Sequence, residues 1–344
     1  MASLVHIVYI EIMSNLPFKK QSLLFAPMEG VTDGPYRRAI ARIFPEWDYY
    51  STDFYRVPSV GKPNAKTILN HYGRENLQDK TLNKKTAYQI LTSARAQTED
   101  VTRLIEENNF HHLDLNIGCP SKKVNAHKGG AYLLSDIDTL KPIINKIRKN
   151  FSKTFTVKIR IGYRDDALFF DLLKMFEDEG VDAITLHART RDQLYKGFAD
   201  WSYIQKAVEY SNLPIIGNGD IWSVQDIIQI FDQCDPYAIM LGRGALKTPW
   251  LATLYEQFKD NPDFLSEEFL LLERKKGLDL YFHELSKEFK KENLEDNIIL
   301  KRFKSFSAYI FDDFPQHETV RSQFLRSVSL NEFCERLASL TNTK

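Results

Sequence analysis

Residues 112–131, HLDLNIGCPSKKVNAHKGGA, put a thiol at a position suited to chemistry. Leu113, Leu115 and Ile117 alternate with Asp114 and Asn116 in the pattern of a strand, which Gly118-Cys119-Pro120 ends. Proline has no N–H to give to a ladder, so Cys119 sits just past the strand's C-terminal end. A structural cysteine is more at home inside an apolar element than on a Gly-Pro corner. Placement therefore leaves a reactive role and a packing role both open. A thiol with a pKa near 8.5 is mostly protonated at neutral pH, as a proton donor must be.

Other apolar runs end in polar or glycine-rich residues in the same way. The first ends in Pro27-Met28-Glu29-Gly30, the third carries Gln89, and the fourth carries Asn116 ahead of Cys119. Lys158 and Arg160 share one face of TVKIRIGY, a segment expected to be central, where an unpaired charge is costly. His187 is followed by Arg189, Thr190 and Arg191, which suggests a nearby anion. The last two runs end in Asn218-Gly219-Asp220 and Gly242-Arg243-Gly244. Glycines let backbone N–H groups approach phosphate oxygens, and an arginine can clamp them through two parallel bonds. A phosphate-bearing ligand is expected between these two loops.

Such end residues need elements that bring them to one mouth. Strands are predicted at Leu23–Ala26, Tyr49–Thr52, Thr86–Ile90, His112–Ile117, Phe155–Arg160, Ala183–His187, Pro214–Gly217 and Tyr237–Leu241. Helical periodicity falls at about 34–44, 98–108, 136–150, 166–179, 201–209, 223–232 and 247–258. Eight βα units predict a (β/α)8 TIM barrel over 21–258, with chemistry at the strands' C-terminal ends and phosphate after strands seven and eight. No strand leads into GxGxxG, which counts against an open dinucleotide-binding sheet. Residues 53–85 read as a long, polar, irregular loop. After the breaker Asn261-Pro262-Asp263 only helical patterns remain, so 261–344 is predicted to be an all-helical domain of three or four helices.

Composition excludes several classes. No run approaches a membrane span, and formal net charge is zero over 344 residues, so any nucleic-acid affinity must come from local basic clusters. Cys119, Cys234 and Cys334 are far apart and odd in number, which suits a reducing cytoplasm and gives no metal-ligand spacing. The extension 1–20 makes a poor signal peptide, because Leu4–Met13 is interrupted by His6 and Glu11 and lacks a basic start. An extra strand there, or a true start at Met13, are the plainer readings.

The segment L-D-L-N-x-G-C-P-S-K-x-V resembles the signature of the tRNA-dihydrouridine synthases. So do APMEGVTD at 26–33, QIL at 89–91, VKIR at 157–160, HART at 187–190, NGD at 218–220 and GRGA at 242–245. The resemblance is close over about 23–250 and weaker in the tail. It implies an FMN-dependent oxidoreductase that reduces a uridine in the tRNA D-loop to 5,6-dihydrouridine, drawing electrons from NADPH. FMN would be held by Pro27, Met28, Glu29, Gln89, Lys158, His187, Asn218, Gly219, Asp220, Gly242 and Arg243. Cys119 would be the general acid, and Asn116, Arg160 and Tyr195 would face the flipped uridine. Thr52-Asp53-Phe54-Tyr55-Arg56-Val57 resembles the T-E-F-x-R-V of the branch acting on uridine 16. The loop after Cys119 departs from that branch at Ala126 and Lys128.

The resemblance also implies a tRNA-binding tail and a monomer. Over 261–344 there are 13 Lys and Arg against 15 Asp and Glu, a net of −2. Yet Lys301, Arg302 and Lys304 cluster with Phe303 and Phe306 in KRFKSFSAYI. Together with Arg56, on the loop after strand two, they are expected to contact tRNA. A solvated helix face is the plainer alternative. The competing function is a flavin-dependent dehydrogenase of a free pyrimidine, similar to dihydroorotate dehydrogenase, for which a helical tail would have no use.

Overall fold

Eight parallel staves close into a barrel. The computed structural model describes residues 16–261, 266–314 and 316–342. Its strands are β1 (Ser22–Phe25), β2 (Tyr49–Ser51), β3 (Tyr55–Arg56), β4 (Thr86–Leu91), β5 (His112–Ile117), β6 (Thr154–Arg160), β7 (Ala183–His187), β8 (Ile215–Asn218) and β9 (Ala238–Leu241). They run β2-β1-β9-β8-β7-β6-β5-β4, and β2 pairs back onto β4 to complete the ring. β3 continues the line of β2. Tyr50 and Ser51 lie against Thr86 and Ala87 at the start of β4, and Tyr55 and Arg56 against Ile90 and Leu91 at its end.

Alternate residues of each strand face in and out. Leu23, Phe25, Leu113, Leu115, Val157, Ile159, Ile184 and Leu186 belong to the large core beneath the surrounding helices. Inside the barrel a smaller cluster of Phe18, Leu24, Tyr49, Ala87, Ala183, Ile216 and Ala238 plugs the lower end. Phe18, at the close of the predicted extension 1–20, packs on Tyr49 with ring centroids 5.1 Å apart, and its carbonyl accepts from the Tyr237 hydroxyl at 3.1 Å. Residues 1–15, with Met13, lie outside the described residues, as does the Pro262-Asp263 part of the predicted breaker.

The helices around the barrel begin with α1 (Gly34–Ile43), α2 (Ala65–Tyr72), α3 (Arg74–Gln78), α4 (Lys80–Lys84), α5 (Thr98–Glu107) and α6 (Lys122–Ala126). They continue with α7 (Ile137–Asn150), α8 (Phe169–Asp178), α9 (Ser202–Tyr210), α10 (Val224–Cys234), α11 (Arg243–Lys247) and α12 (Leu251–Asp260). The expectation of an irregular loop over 53–85 is overturned, because β3, α2, α3 and α4 occupy it. Asn64 and Asp79 cap α2 and α4 through their side-chain oxygens, and Ile68, Tyr72, Asn76 and Leu82 anchor the stretch to the core. Helices of five to eight residues carry too few turns to show a periodic stripe.

Four further helices form the C-terminal domain: α13 (Glu267–Lys291), α14 (Asp296–Ile310), α15 (His317–Leu325) and α16 (Leu330–Asn342). Its core is aromatic, with Phe311 stacked on Phe324 at 4.3 Å and Phe333 edge-on to both Phe282 and Phe324. The domain docks on the barrel along α13 and α1. Gly277 lies mid-helix at a cost of about 1 kcal/mol in helix propensity relative to alanine. A Cβ there would come within 2.5 Å of the buried Trp250 indole. Gly277→Ala is therefore expected to destabilise the protein by about 1–3 kcal/mol through overpacking, against the sign of propensity. Urea unfolding checks this, and a stabilised variant would refute it. Among the described residues no helix is long and apolar enough to cross a membrane, and no cluster of His, Cys, Asp and Glu is placed to hold a metal.

Candidate active site

Strand register builds the mouth. Gln89 pairs with Asp114, Asn116 with Lys158, and Arg160, His187, Asn218 and Met240 form one continuous row. The inward face of β5 carries His112, Asp114 and Asn116, and these anchor a buried hydrogen-bonded chain. Thr156 Oγ1 donates to Asp114 Oδ1 at 2.6 Å, which leaves it to accept from His112 Nε2 at 2.8 Å and so places that ring's proton on Nε2. His112 Nδ1 then accepts from the Tyr49 hydroxyl at 2.9 Å. Burial holds His112 neutral, with its pKa pushed down to about 3. On the other side, Gln89 Nε2 donates to Asp114 Oδ2 at 2.6 Å, Asn116 Nδ2 donates to Gln89 Oε1 at 2.8 Å, and the Gly118 N–H donates to Asn116 Oδ1 at 3.0 Å. Each donor fixes the next, so the amides of Gln89 and Asn116 have one orientation.

That chain ends at the corner bearing Cys119. The corner is clamped from several elements. Arg160 Nε donates to Gly118 O at 3.0 Å, and Asn125 Nδ2 donates to Cys119 O at 2.9 Å and to Ser121 O at 2.7 Å. Gly130, at φ +58, lies so close that a Cβ would stand 3.2 Å from Cys119 Cβ and 2.9 Å from Val124. The thiol is half-buried. Burial raises its pKa, the Ser121 N–H opposes this, and Glu29 raises it while Arg160 and Arg56 lower it. A thiol raised above its ordinary pKa is a proton donor rather than a thiolate nucleophile.

A cavity of about 110 Å3 opens beside β6 to β9, lined by Pro27, Met28, Lys158, His187, Tyr195, Asn218, Trp222 and the two glycine loops. It is smaller than the ~300–1,000 Å3 usual for ligand pockets, so a large ligand would lie partly in the open mouth. The Lys158 ammonium is walled in, although part of the side chain still opens on the cavity. Its hydrogen bond is to Asn218 Oδ1 at 3.0 Å, and Asn218 Nδ2 in turn donates to Met240 O at 2.6 Å. Burial, and then Arg160, push the Lys158 pKa down to about 8 against the opposing charge of Asp114, with which it forms no ion pair among the described residues. His187 is held neutral by burial and by the surrounding Arg160, Lys158, Arg189 and Arg243.

Asp220 is the hub of the two glycine loops. It adopts a left-handed φ of +51 and collects Arg189 through both carboxylate oxygens, Arg243 at 2.9 Å and the Ala199 N–H at 2.7 Å. The anion that the HART stretch led us to expect is thus partly the chain's own. Arg243 uses one N–H for Asp220 and lies 4.5 Å over the Tyr195 ring and 4.9 Å over Trp222, keeping donors free. Tyr195 is exposed and also lies beneath Arg160, at 5.5 Å.

Known proteins share this arrangement of sequence. The family model described as "Dihydrouridine synthase (Dus)" matches residues 24–344. The chain belongs to the dihydrouridine synthase family. It is 32% identical over 253 residues to a tRNA-dihydrouridine synthase B of Pasteurella multocida, covering 73% of this chain and 74% of that one. It is 29% identical over 264 residues to a tRNA-dihydrouridine(16) synthase of Neisseria meningitidis serogroup B, covering 76% and 78%. A tRNA-dihydrouridine(16) synthase of Pseudomonas syringae pv. tomato is 32% identical over 238 residues, covering 67% and 73%.

In this dihydrouridine synthase the residues singled out by sequence do not all meet. Cys119, Asn116, Gln89, Lys158, Arg160, His187, Asn218, Asp220, Arg243 and Tyr195 ring one mouth, brought there by strand register and by the stacking of Arg160 and Arg243 on Tyr195. Glu29 is exposed and senses Cys119 but does not line the cavity. Arg56 stands at the end of β3, on the far side of the Cys119 loop. Lys301 is exposed and Lys304 half-buried on α14. Arg302 turns inward, pairing with Asp33 at the start of α1 and stacking 4.1 Å over Phe289. It ties the tail to the barrel. Asp114, His112, Thr156 and Asn125 were missed as site residues. The first two carried a signal, since polar residues at 112, 114 and 116 mark an inward polar face.

Proposed function

We propose that this dihydrouridine synthase reduces a uridine of the tRNA D-loop, uridine 16, to 5,6-dihydrouridine, working as a cytoplasmic monomer. The observation that carries the chemistry is the half-buried Cys119 thiol, held protonated on a clamped corner beside Asn116 and Arg160. Relatives of similar identity bear both the B and the (16) names. The choice of uridine 16 therefore rests on the TDFYRV segment at 52–57.

FMN fits the residues present. A walled-in cation that is hydrogen-bonded to an amide oxygen and, among the described residues, makes no ion pair suits an anionic cofactor. Gly242 leaves open space toward the cavity, where a Cβ would meet only Ala26 at 3.6 Å. Pro27, Met28, Gln89, Lys158, His187, Asn218, Gly219, Asp220, Gly242 and Arg243 would hold it. When bound, FMN supplies a hydride to one carbon of the uracil double bond, with NADPH as the source of electrons. Cys119 gives the proton to the other carbon. Asn116 and Arg160 face the base, which must leave its stack to reach them. Arg56, Lys301 and Lys304 hold the tRNA from outside the mouth, and Arg302 supports the helix that presents the two lysines.

The test of the reading is dihydrouridine formation at a mapped position, followed by mass spectrometry, when the purified protein meets unmodified tRNA and NADPH. Reduction of free orotate derivatives but not of tRNA would replace it with the dehydrogenase reading. Arg243→Ala is expected to lose about 1.5–3 kcal/mol of flavin affinity, because Asp220 keeps Arg189 while the phosphate loses its clamp. The variant should purify with much less flavin, and full occupancy would place the phosphate elsewhere.

A further inference from the structure

A second, larger groove of about 750 Å3 lies across the Cys119 loop from the cofactor cavity. It belongs to the β3–β4–β5 side of the mouth and shares no lining residue with the cavity beside β6 to β9. Arg56, Arg95 and Lys128 line it, all exposed and none in an ion pair among the described residues. The one carboxylate in its wall, Asp136, is engaged at the start of α7 by the Thr139 N–H at 3.0 Å and hydroxyl at 2.7 Å, and it feels the charge of Lys128 without an ion pair among the described residues. Three cations against one committed carboxylate give the groove a charge of +2 in a chain whose net charge is zero.

The groove is also built rather than merely open. Ser93 and Gly129 pair as an antiparallel bridge that fastens the β4 exit to the Cys119 loop. A Cβ on Gly129 would stand 2.7 Å from Thr92 O, so only glycine allows the two loops this close. The neighbouring Gly130 abuts Cys119 itself. Half-buried Tyr132 gives the wall an aromatic face, with the Lys128 ammonium 6.0 Å above its ring. Apolar walls, one aromatic face and unpaired cations are the chemistry that receives a single-stranded nucleotide, its base stacked and its phosphate paired.

We propose that this groove holds the nucleotide adjoining the target uridine in the RNA strand, with Arg95 and Lys128 on its phosphate and Tyr132 against its base. The inference rests on the tRNA reading above. It favours RNA over the dinucleotide electron donor because the groove borders the loop that carries the thiol, Gly129 in its wall being next to the Gly130 that meets Cys119, whereas an electron donor must reach the cavity on the other side of the mouth.

The double variant Arg95→Gln/Lys128→Gln tests it, with unmodified tRNA transcript as the probe. The KM for tRNA is expected to rise roughly 3- to 30-fold, the scale of two exposed charge pairs. The slope of log binding constant against log salt should flatten by about 0.7–0.9 for each phosphate left without its cation. Flavin content, the KM for NADPH and kcat at saturating tRNA should stay at parental values. A raised KM for NADPH with an unchanged KM for tRNA would assign the groove to the dinucleotide. No change in either would return the cations to ordinary solvated side chains. If instead the parent protein forms no dihydrouridine in tRNA, the functional reading itself fails, a result the parent control reports separately.

Discussion

Cys119→Ala is expected to keep the fold and the flavin while slowing uridine reduction by about 10²–10⁴-fold, the usual worth of a general acid. The fold survives because the corner is held by contacts the thiol does not make. Asn125 and Arg160 grip the Cys119 and Gly118 carbonyls, and Asn116 accepts from the Gly118 N–H. The flavin survives because Cys119 does not line the cofactor cavity. Burial raises the thiol's pKa, so the proton is on sulfur throughout the neutral range and is available when the base arrives. Single-turnover formation of dihydrouridine from pre-reduced enzyme isolates the step, while NADPH-driven flavin reduction is the internal control. A parental rate in that single turnover would assign the proton to another donor. Cys119→Ser sharpens the test, since a hydroxyl of similar size is a far weaker acid and should rescue little.

Much of this site was legible because parallel strands buried on both faces read as apolar runs with abrupt polar ends. Seven of the eight predicted strands were read with such ends, and strand register brings those of β1 and β4 to β9 toward one mouth. What escaped did so for physical reasons. Asp114 sits in LDLNIG, where alternation is what a half-exposed strand would also show. Only closure of the barrel turns that polar face inward and makes its carboxylate the anchor of Gln89 and Thr156. Arg189 and Asp220 are 31 residues apart, so no local pattern announces that the cation after β7 is neutralised by the loop after β8. Arg302 lies among Lys301, Lys304 and two phenylalanines within two helical turns, and reads as part of a basic patch. Its partner Asp33 is 269 residues away. Local periodicity gives the faces of an element; it does not say which distant charge meets them.

The joint between barrel and tail is where the largest loss of stability is expected. Glu288 on α13 is fully buried and receives Arg38 at 2.8 Å and Arg42 at 2.6 Å from α1, with Lys291 from its own helix at 2.6 Å. Burial works to raise its carboxyl, but the hydrogen bonds from Lys291, Arg38 and Arg42 prevail and bring the pKa down to about 2. Removing one partner of a buried pair usually costs about 3–5 kcal/mol, because the other charge is left uncompensated. Here Arg38 keeps Glu292 at 2.6 Å and Asn76 at 2.8 Å, and Arg42 keeps Glu284, so Glu288→Ala is expected to cost about 2–4 kcal/mol. Urea unfolding measures the loss. Faster proteolysis at the α12–α13 connection would place it at the joint rather than in the barrel. The sign with pH follows from the depressed carboxyl: its contribution is complete above its ordinary value of 4.5 and is lost as pH falls toward about 2. Glu288→Gln keeps the volume and an acceptor but not the charge. It should therefore remove this part of the acid sensitivity while losing less stability at neutral pH than the alanine variant. Identical stability of all three proteins at neutral pH would show that Arg38 and Arg42 are satisfied without Glu288, and that the remaining contacts, Arg302 with Asp33 and Trp250 on Gly277 among them, hold the tail.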